Sequence, residues 1–449
     1  MGLILQWKTR KKKVTFKMTV MEKKTATDID ILRFTTVGSV DDGKSTLIGR
    51  MLYDSKGIFE DQLKAVEKTS SKRSNVGEEG IDFSLLTDGL AAEREQGITI
   101  DVAYRYFNTP RRKFIIADTP GHVQYTRNMV TGASTAHLTI ILIDARKGIL
   151  DQSKRHALIS SLLGIPNFIV TVNKMDLVDF SEKIFKDIER DFKELVSKLG
   201  LEEKQIHFIP ISALCGDNVV NKSLNMDWYN GETVIEVLES VDVQQDIAQK
   251  PFRMPVQHVI RADNDEHKDF RGFAGLVSSG SIKVGDEVIS LPSGMKSKVK
   301  TIADFNENKN HAIARESINL VFEDEIDTSR GDMICKIGEE VAMVKEFNAN
   351  LCWMSEEKFS SGKKYLLKHT ANKVKAIATD INFKLDINTY KKQSATELGL
   401  NDIANVKFKV MKPIMADIYS DNRFTGSFIL IDEMSNDTVA AGMLTEIIA

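Results

Sequence analysis

A chain of 449 residues is longer than one hydrophobic core ordinarily supports, so about three domains are expected, and 42% hydrophobic with 28% charged residues excludes a disordered or fibrous protein. A formal net charge of −3 gives no general attraction for nucleic acid or an anionic membrane. Cys215, Cys335 and Cys352 are odd in number and lack metal-ligand spacing, which argues against a disulfide framework or zinc site and for a reducing cytoplasm.

The chain opens MGLILQWKTRKKKVTFKM, a short apolar run before a basic cluster, the reverse of a signal peptide's order. No apolar stretch long enough to span a bilayer follows. Residues 1–28 read as a flexible basic tail or as a translation-start artefact, with Met18 and Met21 as alternative beginnings.

From residue 29 to 245 short β-rich runs alternate with amphipathic stretches. The strands are predicted at 31–37, 101–107, 113–118, 138–144, 167–173 and 205–210. Such continuous apolar runs between helical periodicities predict a mainly parallel sheet covered by helices on both faces, an α/β nucleotide-binding domain. Beyond Pro251 the texture becomes short alternating segments broken by Gly and polar turns, which predicts a β-barrel over 246–341 and a second over 342–449.

The motif GSVDDGKST, spanning Gly38, Ser39, Val40, Asp41, Asp42, Gly43, Lys44, Ser45 and Thr46, follows the first strand and opens a helix. Glycines there permit the tight turn that aims consecutive N–H groups and the helix N-terminus at phosphate oxygens. Lys44 is expected to reach the β- and γ-phosphates, and Ser45 to offer its hydroxyl to Mg²⁺. DTPGH, at the end of the strand 113–118, supplies Asp118 for the Mg²⁺ shell and the Gly121 N–H for the γ-phosphate.

NKMD, containing Asn173, Lys174 and Asp176, ends the strand 167–173. A carboxylate there accepts from the N1–H and N2–H₂ of guanine, a donor pair that adenine lacks, so the ligand is expected to be GTP rather than ATP. Ser212, Ala213 and Leu214 follow the next strand and can lend a backbone N–H to the guanine O6. Four elements in this order and context predict a P-loop GTPase domain.

Between the first two elements, AEREQGITID (92–101) resembles the first switch of translation-factor GTPases. That resemblance implies that Thr99 completes the Mg²⁺ shell and that His122 positions the attacking water, so that His122, Lys44 and Thr99 form the catalytic set. Within the superfamily, residues 38–63, 85–107, 114–134 and 142–156 are most similar to the large subunit of bacterial sulfate adenylyltransferase. Elongation factors typically carry His and Thr where this chain has Asp42 and Ser45, and Val123 stands where many relatives have Glu.

The resemblance implies a heteromer in which a smaller subunit joins ATP and sulfate into adenosine 5′-phosphosulfate and pyrophosphate, coupled to GTP hydrolysis here. After Pro251 there is neither a second GxxxxGK[ST] loop nor an SGGxD-type pyrophosphate loop, which places the ATP site on another chain. The rival readings are an elongation-factor-like GTPase and a GTP-dependent scaffold, since a fold does not fix a function.

Overall fold

The computed structural model describes residues 31–55, 81–86, 99, 101–122, 125–199, 206–242, 245–261, 271–304, 308–386 and 389–449. The basic tail, Val123 and all of the segment 92–101 except Thr99 and Asp101 lie outside the described residues.

A six-stranded sheet forms the first layer, built from β1 (Ile31–Val37), β2 (Ala103–Asn108), β3 (Lys113–Asp118), β4 (Leu138–Asp144), β5 (Asn167–Asn173) and β6 (Ile206–Pro210). Its order is β2-β3-β1-β4-β5-β6, with only β2 antiparallel to its neighbour. The strand predicted from Asp101 pairs only from Ala103, because the Asp101 carboxylate accepts the Val102 N–H at 2.7 Å instead.

All seven residues of β4 are buried, as a central parallel strand requires. Its side chains alternate between two cores. Ile141 and Ile143 meet helices α2 (Thr126–Ala133), α3 (Asp151–Leu162) and α4 (Glu182–Leu199) through Val130, Leu158 and Phe192. Ile140 and Leu142 meet α1 (Lys44–Asp54) and α5 (Val234–Ser240) through Ile48, Met51 and Leu238. Each such buried aliphatic side chain contributes about 1.5–3 kcal/mol. The parallel strands all end at one edge, and the loops that follow β1, β3, β5 and β6 gather there.

Two closed antiparallel barrels follow. In the first, Met254–Arg261, Arg271–Leu276, Glu287–Leu291, Met295–Ala303, Ser317–Phe322 and Met333–Lys336 close around Val256, Phe273, Val299 and Leu320. In the second, Met343–Trp353, Lys364–His369, Asn372–Leu385, Ile403–Met415, Ser427–Ile431 and Thr438–Ile447 close around Phe347, Tyr365, Phe408 and Phe428. Closure removes the exposed sheet edges that open β-structures must protect.

The second barrel packs on the α/β layer, placing Cys352, Ile403 and Met443 in one core with Val130 and Ile159, and Tyr419 donates to the Leu163 carbonyl at 2.7 Å. The barrels are joined by Arg253, whose guanidinium forks onto both oxygens of Asp417 at 3.1 Å. Among the described residues no helix is long and apolar enough to cross a membrane.

Candidate nucleotide site

β1 ends at Val37, and the chain then turns through Gly38–Gly43 into α1. Gly43 stands at the helix N-cap with φ 94°, a left-handed conformation that strains any residue with a Cβ, and an added Cβ would strike the Asn173 amide nitrogen. No side chain caps α1, so its first N–H groups remain directed at the loop. Ser39 Oγ is buried and has no partner among the described residues. An uncapped helix start behind a glycine turn, with an unspent hydroxyl, fits an anionic phosphate.

The loop braces itself. The Ser39 N–H donates to Asp42 Oδ2 at 2.7 Å, and Lys44 Nζ donates to the Gly38 and Ser39 carbonyls at 3.0 and 2.9 Å. Burial lowers the Lys44 pKa while Asp118, Asp42 and Asp41 oppose it, so the three carboxylates hold a desolvated ammonium beside the loop. Asp42 is raised by burial, against the Ser39 N–H and Lys44.

Asp118 ends β3 and is 2% exposed. Thr119 Oγ1 donates to the Thr36 carbonyl at 2.7 Å, tying this turn to β1. Gly121 follows so closely that a Cβ would lie 2.5 Å from both the Gly38 carbonyl and Lys44 Nζ. The next residue, His122, is exposed, with its ring centroid 6.0 Å from that of Tyr125. Ser45 and Thr99 are both half-buried. The hard oxygens of Ser45 and Asp118 suit a small divalent cation such as Mg²⁺.

Asn173, the last residue of β5, fastens three segments. Its Nδ2 donates to the Asp42 carbonyl at 2.7 Å and its Oδ1 accepts the Ala213 N–H at 3.0 Å. Lys174 adopts φ 63° and reaches back to the Asp41 carbonyl and to Asp144 Oδ2, the latter at 3.1 Å. Burial would raise the Asp144 carboxyl, but hydrogen bonds from Arg146 and Lys174 outweigh it and hold the group well below the usual carboxylate range. Ser212 Oγ donates to Asp176 Oδ1 at 2.6 Å and so orients that carboxylate. Arg50 of α1 donates to the Leu214 carbonyl at 2.6 Å, steadying the segment after β6.

The loop 38–46, Asp118, Gly121, the 173–176 turn and the 212–214 segment therefore share one edge of the sheet. Arg50, Asp144 and Arg146 belong to the same network but carry no motif that a sequence reading could single out. Asp144 had one available signal, its place at the end of a largely apolar strand beside the loop strand.

This fold and site define a GTP-binding P-loop protein of the elongation factor Tu type, and the family description "Elongation factor Tu GTP binding domain" matches residues 29–248. A second description, "GTP-eEF1A C-terminal domain-like", matches residues 346–445. The chain belongs to the sulfate adenylyltransferase subunit 1 family. It is 52% identical over 419 residues to "Sulfate adenylyltransferase subunit 1" of Saccharophagus degradans, covering 93% of this chain and 88% of that one. It is also 52% identical to the protein of that name from Cellvibrio japonicus, covering 93% and 87%, and 51% identical to that from Alteromonas mediterranea, covering 94% and 88%. Among solved structures, sup35 complexed with GDP aligns with a TM-score of 0.43 and 21% identity over 97% of this chain and 98% of that chain.

Proposed function

We propose that this chain hydrolyses GTP to drive sulfate activation in the cytoplasm, together with a smaller subunit that converts ATP and sulfate into adenosine 5′-phosphosulfate and pyrophosphate. The observation that carries this reading is kinship at 52% identity that runs through the GTPase layer and both barrels rather than stopping at the shared nucleotide motifs. It favours a common assembly over an elongation-factor or scaffold role.

In this reading the backbone of Gly38–Thr46 cradles the phosphates, Lys44 supplies a fixed positive charge to the β- and γ-oxygens, and Gly121 presents its N–H to the γ-phosphate. Ser45, Thr99 and Asp118 would hold Mg²⁺, which when bound neutralises charge on the β- and γ-oxygens. Asp176 reads the guanine edge, Ser212 keeps its carboxylate aimed, and Asn173, Lys174, Ala213 and Leu214 form the rest of the base pocket. His122 orients the attacking water.

Because the desolvated Lys44 ammonium lies against the loop proposed to cradle the phosphates, Lys44→Ala is expected to weaken GTP binding at least about tenfold, the loss of one charge-assisted hydrogen bond. A fluorescent-nucleotide titration measures it, and wild-type affinity would remove Lys44 from the site.

The assembly is tested by sulfate-dependent exchange of pyrophosphate into ATP. The chain alone is expected to show almost none, and adding the smaller subunit to create it. GTP should then raise net product beyond what ATP alone yields, while Thr99→Ala leaves the subunits associated but separates GTP consumption from product yield. A wild-type pair that makes no more product with GTP than with a non-hydrolysable analogue refutes the coupling.

A further inference from the structure

Positive charge collects at the opposite edge of the sheet, where the parallel strands begin. Arg33 of β1 and His137, the residue before β4, hold each other by two hydrogen bonds. The Arg33 N–H donates to His137 Nδ1 at 3.2 Å, and the His137 N–H donates to the Arg33 carbonyl at 2.7 Å. Since Nδ1 is an acceptor, the ring is neutral with its proton on Nε2. Arg423, from the second barrel, donates to the Ala136 and Ser134 carbonyls, both at 3.1 Å, and so lies beside His137.

Arg315 comes from the first barrel. Its N–H donates to the Val277 carbonyl at 2.7 Å, and its neighbour Ala314 bonds the Gly280 carbonyl at 2.9 Å. The same segment accepts Asn422, the residue before Arg423, which donates to Ser279 Oγ at 2.9 Å. Residues 277–280 thus bring Arg315 and Arg423 to one place.

Among the described residues, the charged groups that bear on His137 and Arg315 are arginines. Burial, then Arg315, Arg33, Arg423 and Arg112, hold the His137 imidazole at about 3, and burial with Arg33 and Arg423 lowers Arg315. Arg112 is spent on the Leu238 and Val241 carbonyls at 2.9 and 2.6 Å. The adjacent Glu316 is turned to Lys309 and to the Ile313 N–H. The Arg423 Nε–H is buried without a partner among the described residues.

Like charges held close together are unfavourable until a counter-charge completes them. Arg423 has both terminal nitrogens on carbonyls and offers only its Nε–H. The guanidinium forks of Arg33 and Arg315 match the spacing of oxygens on tetrahedral oxyanions, and the exposed Arg315 leaves a way in. We propose that Arg33, Arg315 and Arg423 form a binding site for a doubly charged tetrahedral oxyanion, sulfate or phosphate, at the junction of the α/β layer and both barrels. Bound there, the ion ties the three layers together.

The test uses the full chain saturated with GDP and Mg²⁺, so that anions do not report on the nucleotide loop. Sodium sulfate, phosphate and chloride are compared at constant ionic strength by thermal denaturation and calorimetric titration. Sulfate or phosphate should raise Tm in a saturable way where chloride does not, and the anion that saturates at lower concentration is the ligand. Arg315→Gln and Arg33→Gln should each bind that anion at least about tenfold more weakly. In chloride, Arg315→Gln should melt no lower than wild type, because it removes a repelling charge. The absence of saturable binding by wild type, wild-type affinity in both variants, or a lower Tm of Arg315→Gln in chloride would each overturn the site.

Discussion

Asp176→Asn is expected to convert a guanine site into a xanthine site. The Asp176 carboxylate is half-buried, and its Oδ1 is already fixed by the Ser212 hydroxyl at 2.6 Å. The other oxygen is then free to face the N1–H and N2–H₂ of guanine. Asparagine can keep the Ser212 bond through its own Oδ1, which turns an amide N–H₂ toward the base. Two donors then oppose the guanine donors, and GTP affinity should fall by about two orders of magnitude or more. Xanthine carries a carbonyl where guanine carries its amine, so the same amide becomes a partner and xanthosine triphosphate should gain what GTP loses. Parallel titrations with the two triphosphates measure the exchange. Unchanged GTP affinity with no gain for the xanthine nucleotide would take Asp176 out of the base pocket.

The four segments that meet at the sheet edge were legible because each imposes its residue types locally. Gly43 is needed for φ 94°, Lys44 and Ser45 must open the helix, and Asp118 and Asn173 must end strands at one sheet edge. The barrels were legible only as alternation. Alternation shows that 254–261 and 333–336 are strands, but not that they pair, because their register rests on packing between segments far apart in the chain. The same limit hid Arg50 against Leu214, Lys174 against Asp144, and Arg423 against Ala136. Arg423 alone reaches carbonyls 287 and 289 positions away, and no spacing rule connects such residues. The strand start misread at Asp101 failed for a local reason, since an Asp side chain competes with the ladder for a backbone N–H.

His122→Ala separates catalysis from binding. The turn that carries the residue is held from both sides: Thr119 bonds the Thr36 carbonyl, and Gly121 lies against Gly38 and Lys44 with no room for a Cβ. The exposed imidazole lies one residue beyond that contact, next to the glycine proposed to present its N–H to the γ-phosphate. Truncating it removes none of the groups proposed to bind the nucleotide, so nucleotide affinity should change by less than about threefold, within the range of ordinary surface substitutions. In the proposed role the attacking water would lose the group that orients it, and single-turnover hydrolysis should slow by about 10²-fold, the contribution typical of a positioned acid–base residue. Measuring the hydrolysis rate at saturating GTP beside an equilibrium titration distinguishes the two effects. Equal losses in rate and affinity would instead make His122 a support for the turn, and the water would then have to be positioned by another group near Gly121.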